Sequence, residues 1–214
     1  MPFLGCAPSA SYTRARYGTL IVSAFCMACA AFAFVPRAGA QSVDVSSTTR
    51  LESVMASIRA RDPKAASGLA VRFDAETQPG IRAWLVRGVA ALDSPHGAAL
   101  ARKALQDASP LVRMAAAEAL AGVDGAKAVA DLSAALAGEK NAGVRNNIVF
   151  WLGSIKSPAS AAALQAALAG DSDSNVRVQA ARALQRHGTR SARQAVKNAK
   201  NDSDARVRAI ANEP

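Results

Sequence analysis

The chain has 214 residues, of which half are hydrophobic but only 5% are aromatic. Alanine fills 52 positions, and a composition so rich in small, helix-favouring side chains argues against a β-sandwich or a β-barrel. Two histidines and three cysteines supply few of the groups that metal sites and nucleophilic catalysis require. The net charge of +10 is compatible with an acidic partner but identifies none.

The N-terminal segment has the organisation of an export signal. Two arginines precede an apolar run over residues 20–35, and the small residues at 38–40 match the positions that a signal peptidase reads. We expect a signal peptide over residues 1–40, cleavage between Ala40 and Gln41, and a periplasmic or secreted mature chain. The alternative is an uncleaved anchor, although this run is shorter than the ~20 residues of a typical membrane-spanning helix.

All three cysteines lie inside this segment, so the mature chain is expected to have none. Cys26 and Cys29 have the spacing of a redox dithiol. They lie in the hydrophobic core of the signal, however, and lack the βαβ context that such a motif needs. We therefore expect no disulfide and no dithiol chemistry.

An internal repeat is the strongest pattern in the sequence. An apolar residue followed by arginine recurs five times at a nearly constant interval, and an acid stands at the same distance before each arginine. The pairs are Glu76 and Arg82, Asp107 and Arg113, Glu139 and Arg145, Asp171 and Arg177, and Asp202 and Arg208. A fixed period of this length is typical of a solenoid built from short helical units.

Each of the first four arginines opens a segment with apolar residues three, four and seven positions later, which form one stripe of a helix. A second, shorter stripe follows, as in Val129, Leu132 and Leu136. Helix starts are predicted by Ser-Pro pairs and helix ends by glycines, at Ser94, Ser109 and Ser157 and at Gly138, Gly153, Gly170 and Gly188. Because one helix pair cannot bury both stripes, stacked pairs are predicted to form a right-handed or gently curved all-α solenoid.

Three units resemble a known family. Residues 109–123 (SPLVRMAAAEALAGV), 142–155 (AGVRNNIVFWLGSI) and 173–188 (DSNVRVQAARALQRHG) are similar to short HEAT repeats of the phycobilisome-lyase-like type, in which an acid precedes valine-arginine, paired alanines and a leucine. The resemblance covers about residues 75–214, after a linker at 41–49 and a degenerate unit at 50–76. It implies an α-solenoid that serves as a binding scaffold. We expect no cofactor.

The repeated acid and arginine are interpreted as structural. An active site needs its residues in one place, whereas these pairs recur in every unit. A loop carboxylate ahead of a helix can accept hydrogen bonds from the first amides and from the arginine of its own or a neighbouring unit. We expect a ladder that sets the angle between units.

Function is better sought where the units differ. Trp84 takes a position that is Ala115, Asn147 or Gln179 elsewhere. We expect it to face solvent, as an aromatic anchor for a partner, or to pack under the irregular first helix, predicted over residues 50–60. Trp151 is expected to fill a gap in the core beside its neighbour in the chain.

The positive charge is concentrated near the C-terminal end of the sequence. Residues 41–173 hold 14 basic and 13 acidic groups, whereas residues 174–214 hold nine and three. A predicted helix around residues 190–200 places four cations along one face: Arg190, Arg193, Lys197 and Lys200. This face is either a soluble cap of the array or a contact surface for an acidic partner.

The sequence lacks the residues that an enzymatic interpretation would require. His96 and His187 have no partners at metal-ligand spacing, and the His-Glu pairs of the HEAT-type hydroxylases that bind two irons are missing. We favour a non-catalytic, exported scaffold that binds a protein or peptide. One alternative, a lyase-like chaperone for a chromophore-bearing protein, rests on the resemblance only. The other is a nucleic-acid-binding solenoid, against which the export signal argues.

Overall fold

The computed structural model describes residues 45–213, which form eleven α-helices and two 3₁₀ segments and contain no strand. The prediction of an all-α architecture is confirmed, whereas the predicted signal peptide and the start of the linker lie outside the described residues. The helices are α1 (Val45–Ala60), α2 (Ala65–Ala75), α3 (Pro79–Leu92), α4 (Ser94–Ala104), α5 (Pro110–Asp124), α6 (Val129–Gly138), α7 (Ala142–Ser154), α8 (Pro158–Gly170), α9 (Ser174–His187), α10 (Arg190–Asn198) and α11 (Ala205–Ala211). The 3₁₀ segments are Gly125–Ala128 and Ala199–Asn201.

The helices stack as a solenoid. The first helix of each unit packs on its counterpart in the next unit, so that α3, α5, α7, α9 and α11 form one row. The second helices α2, α4, α6, α8 and α10 pack against the first helices and lie in a second row. The core therefore runs between the two rows and along the whole array.

The apolar stripes of the sequence line this core. The residues three, four and seven positions after the repeated arginines of α3, α5, α7 and α9 are all buried, as are Val129 and Leu132 of α6. Small residues allow neighbouring helices to approach closely. A Cβ added to Gly97 of α4 would collide with the backbone of Ala90 in α3, and a Cβ added to Gly153 would lie 2.7 Å from the Cβ of Ala183.

Most helix ends lie close to their predicted positions, with two differences. The N-cap of α4 is Asp93, one residue before the predicted position, and its carboxylate accepts the backbone N–H of His96 at 3.3 Å. Helix α7 continues through Gly153 to Ser154, because that glycine serves the close contact with α9. Gly188 does end α9, with φ of 71° in the left-handed region.

Helices α1 and α2 occupy the segment of the predicted degenerate unit. Helix α1 begins at Val45, before the predicted start of the degenerate unit, and both helices pack on α3. Their buried side chains include Val54, Ala66, Leu69 and Phe73. Among residues 45–213, none of the helices combines the length and the hydropathy needed to cross a bilayer.

Candidate functional site

The repeated arginines bridge successive units. The guanidinium of each arginine donates two parallel hydrogen bonds to the acid of the following unit, the bidentate geometry that suits a carboxylate. The distances from Nε and Nη2 to the carboxylate oxygens are 2.9 and 2.9 Å for Arg82 with Asp107, 2.6 and 2.9 Å for Arg113 with Glu139, 2.8 and 2.9 Å for Arg145 with Asp171, and 2.9 and 2.8 Å for Arg177 with Asp202.

The third nitrogen of each guanidinium binds the arginine's own loop. Nη1 donates to the backbone carbonyl oxygens five and six residues earlier, at 2.7 to 3.4 Å, in Arg82, Arg113, Arg145, Arg177 and Arg208. Each arginine that also binds an acid therefore fixes its own loop to the loop of the next unit. This is a defined route by which the pairs set the relative orientation of neighbouring units.

The acids also stabilise the loop that starts the next helix. One carboxylate oxygen accepts the backbone N–H two residues later at 2.7 to 2.9 Å in Glu76, Asp107, Glu139, Asp171 and Asp202. The acids from Asp107 onward are only 7 to 10% exposed. Losing the arginine would leave a nearly buried charge with too few partners.

The pKa values of these acids reflect two opposed effects. Burial raises the pKa of Asp171, but hydrogen bonds from Arg145 and from the backbone N–H of Asp173, with the charge of Arg145, bring the pKa below its usual range. The same balance lowers the pKa values of Asp107 and Glu139. For Asp202, the hydrogen bond from Arg177 is the main cause of the lowered pKa.

A sixth arginine belongs to this ladder and was missed in the sequence analysis. Nε of Arg50 in α1 lies 3.2 Å from Oε2 of Glu76. Arg50 precedes Arg82 and Glu76 at the same intervals that separate the corresponding residues in the other units. The spacing could have identified Arg50, but the pattern of an apolar residue followed by arginine is broken there, because Thr49 takes the place of the apolar residue.

The four predicted cations near residue 190 are all exposed. Arg190, Arg193 and Lys197 lie on α10, whereas Lys200 falls in the following 3₁₀ segment rather than in the helix, because the α-helix ends at Asn198. The opposite side of this element is anchored to the core by Ala192 and Val196. We call Arg190, Arg193, Lys197 and Lys200 the basic face.

No acid among residues 45–213 forms an ion pair with the basic face. Several cations elsewhere on the surface are neutralised. Arg102 binds Asp124 and Asp131, and Lys103 binds Asp74. The basic face is therefore a local excess of positive charge.

Helix stability does not explain the two cations at the start of α10. Arg190 and Arg193 lie in the first turn of α10, which contains no acid. The N-terminal end of a helix carries a partial positive charge, so cations there are unfavourable. The hydroxyl of Thr189 caps the helix instead, by accepting the backbone N–H of Ala192 at 3.2 Å.

Both tryptophans are half-buried. Trp84 lies on α3 one turn before Gly88, whose close neighbour is Ile58 of α1, so the two residues share the side of α3 that meets α1. Trp151 packs against the core and meets the exposed Phe150 edge to face, with ring centroids 5.0 Å apart. The indole Nε1 of Trp151 is buried and has no hydrogen-bond partner within residues 45–213.

The histidines lie in separate local contacts. Nδ1 of His96 is 3.0 Å from Oδ2 of Asp93, and Nε2 of His187 is 3.1 Å from the carbonyl oxygen of Ser157. Within residues 45–213, no three histidine, cysteine or acidic side chains converge as a metal site would require.

A family model for HEAT repeats matches this chain over residues 66–148 and again over residues 131–213. The chain belongs to the HEAT-repeat family. None of the curated proteins matches this HEAT-repeat chain. A similar solved structure is human deoxyhypusine hydroxylase in complex with glycerol, at 17% identity over 78% of each chain with a TM-score of 0.36.

Proposed function

We propose that this HEAT-repeat protein is a non-catalytic scaffold that binds an acidic protein or peptide through the basic face. The observation that carries the proposal is the unpaired charge of Arg190, Arg193, Lys197 and Lys200 among the described residues. Cations gathered on one exposed surface attract acidic ligands over about one Debye length, roughly 8 Å at physiological salt.

We also propose export to the periplasm or beyond the cell, on the charged, apolar and small-residue pattern of residues 1–40. The phycobilisome-lyase-like subtype of the repeats stays a prediction from the acid, valine-arginine, alanine and leucine pattern. Neither proposal is needed for binding at the basic face.

Binding can be tested with a defined ligand. A fluorescent peptide of ten glutamates, acetylated and amidated at its ends, is titrated against the folded protein, and its anisotropy is measured. We expect replacement of Arg190, Arg193, Lys197 and Lys200 by Gln to weaken binding by about tenfold or more, because several charge contacts are lost together.

A matched control variant tests whether binding depends on where the positive charges lie or only on the total charge of the protein. Arg59, Lys127, Lys140 and Lys156 are exposed cations outside the basic face, so changing them to Gln removes the same charge elsewhere. This control variant should bind the peptide nearly as the wild type does. Equal losses in the two variants would contradict the proposal.

A second ligand tests nucleic-acid recognition. A single-stranded thymidine oligonucleotide with ten phosphates carries a charge similar to that of the peptide. Tighter binding of the oligonucleotide than of the peptide, lost in the same basic-face variant, would reject a protein partner in favour of a nucleic acid.

A further inference from the structure

The guanidinium of Arg208 has two donors, Nε and Nη2, that none of the carboxylates among the described residues occupies. We call this pair of donors the fork. Its Nη1 donates to the carbonyl oxygens of Asp202 and Ser203 at 2.7 and 2.9 Å. This is the contact by which Arg82, Arg113, Arg145 and Arg177 hold their own loops. In those four arginines, Nε and Nη2 then bind an acid, whereas no carboxylate among residues 45–213 lies against Nε or Nη2 of Arg208.

The fork is preorganised in a way that an ordinary surface arginine is not. Two backbone acceptors fix the guanidinium, and the side chain is partly buried on α11. Much of the conformational entropy that an exposed arginine loses on binding is therefore already lost. The repeated geometry also identifies the ligand chemistry, because the same fork binds aspartate or glutamate at each of the four preceding arginines.

The basic face comes shortly before the loop that holds Arg208. Asp202, which binds Nη1 of Arg208 through its backbone carbonyl, comes two residues after Lys200 of the basic face. An open cleft beside α11 is lined by Lys197, Lys200 and Asn212. The acid of this cleft is Glu213, and its Oε2 accepts a hydrogen bond from Nε2 of Gln185 at 2.8 Å.

We propose that Arg208 anchors an aspartate or glutamate side chain of the acidic partner by the same two parallel hydrogen bonds that join successive units. The inference rests on the proposed function, since the basic face supplies the attraction that brings the partner to this end of the array. The basic face recognises net charge, whereas the fork recognises the shape of a carboxylate. Together they favour a segment with one acid held at Arg208 and others along Lys197 and Lys200.

The test uses arginine Nε–H signals in nuclear magnetic resonance of the ¹⁵N-labelled protein. In the free protein, the signals of Arg82, Arg113, Arg145 and Arg177 should exchange slowly with water because their Nε–H groups are bonded. The Arg208 signal should exchange fast, and adding the ten-glutamate peptide should shift it and slow its exchange. Loss of this signal in Arg208→Lys assigns it.

Affinity gives an independent readout. Arg208→Lys keeps the charge but removes the planar fork, so it should weaken peptide binding by about fivefold. The matched control is Arg182→Lys, because the side chain of Arg182 is exposed and makes no hydrogen bond within the described residues. The control should bind as the wild type does.

The outcomes separate the two proposals. The anchor proposal would be overturned if the wild type binds the peptide while the Arg208 signal stays unchanged and the wild type, Arg208→Lys and Arg182→Lys have equal affinities. That result would still support binding at the basic face. Absence of peptide binding would overturn both. An Arg208 signal that is protected without peptide and depends on protein concentration would show that a second copy fills the fork, which also overturns the proposal. Even if Arg208→Lys unfolds α11, the response of the Arg208 Nε–H signal in the wild-type protein still tests the proposal.

Discussion

Arg145 and Asp171 are 26 positions apart in the chain, yet their side chains are joined by two hydrogen bonds of 2.8 and 2.9 Å. The same arginine also binds the carbonyl oxygen of Lys140 at 3.0 Å. One side chain thus fastens the loop before α7 to the loop before α9. Since Arg82, Arg113 and Arg177 repeat this arrangement, one arginine fastens the loops of neighbouring units at each of these four junctions.

Replacing Arg145 by alanine should lower the free energy of unfolding by about 1 to 3 kcal/mol, because Asp171 would keep its buried charge and lose its main donors. Urea unfolding followed by circular dichroism measures the change. Arg182→Ala is the control on the neighbouring helix and should change stability by less than about 0.5 kcal/mol. Identical denaturation curves for Arg145→Ala and the wild type would show that the pair is not structural.

The protein should lose stability as the pH falls below about 4. The pKa values of Asp107, Glu139, Asp171 and Asp202 are lowered in the folded state. The stability that these four carboxylates contribute is complete above the ordinary carboxyl pKa of about 4. It is lost as the pH falls from there through their lower pKa values in the folded state, because the unfolded chain binds protons first. Melting curves between pH 7 and pH 2 measure this effect.

The acid ladder makes a specific contribution to that pH dependence. Asp171→Asn should be less stable than the wild type at pH 7, and the difference should narrow as the pH falls below about 4, because the unfolded wild-type chain takes up a proton at Asp171 before the folded chain does. A constant difference across the whole range would contradict the linkage. This comparison cancels the titration of surface acids that the two proteins share.

The close contact between α3 and α4 at Gly97 should leave no room for a side chain. Gly97→Ala places a methyl group on the backbone of Ala90, so α4 must move away from α3, and we expect a destabilisation of about 1 to 3 kcal/mol. Gly122→Ala is the control, because it lies near the end of α5 with nothing within 4 Å of the new Cβ. That variant should be up to about 1 kcal/mol more stable. Equal effects would show that the close contact is unimportant.

Binding of the ten-glutamate peptide should depend on salt through the basic face. Raising the salt from about 50 to about 300 mM shortens the Debye length and should weaken binding to the wild type. The variant with Gln at positions 190, 193, 197 and 200 should show a flatter dependence and an unchanged far-UV circular dichroism spectrum, because these side chains avoid the core. Parallel salt curves for the two proteins would refute the electrostatic role.

Export can be tested directly by N-terminal sequencing of the protein purified from cells that express the full chain. We expect the mature sequence to begin at Gln41, because the residues at 38–40 are small enough for signal peptidase. A purified chain that still begins at Met1 would contradict the cleavage prediction.

The sequence alone determined the repeating architecture. Periodic apolar residues specify which side of each helix is buried, and this pattern is a local property that can be counted along the chain. The buried positions of α3, α5, α7 and α9 follow directly from it. The recurrence of acid and arginine likewise indicated a structural ladder before any contact was known.

Tertiary structure decided which residues meet across units. The sequence left open whether each arginine binds the acid of its own unit or of a neighbour, because spacing along one chain does not define the offset between stacked helices. That offset is set by close packing, as at Gly153 against Ala183. The same packing brings Arg50 to Glu76 although the local pattern at Thr49 is broken, and it leaves the fork of Arg208 open among the described residues.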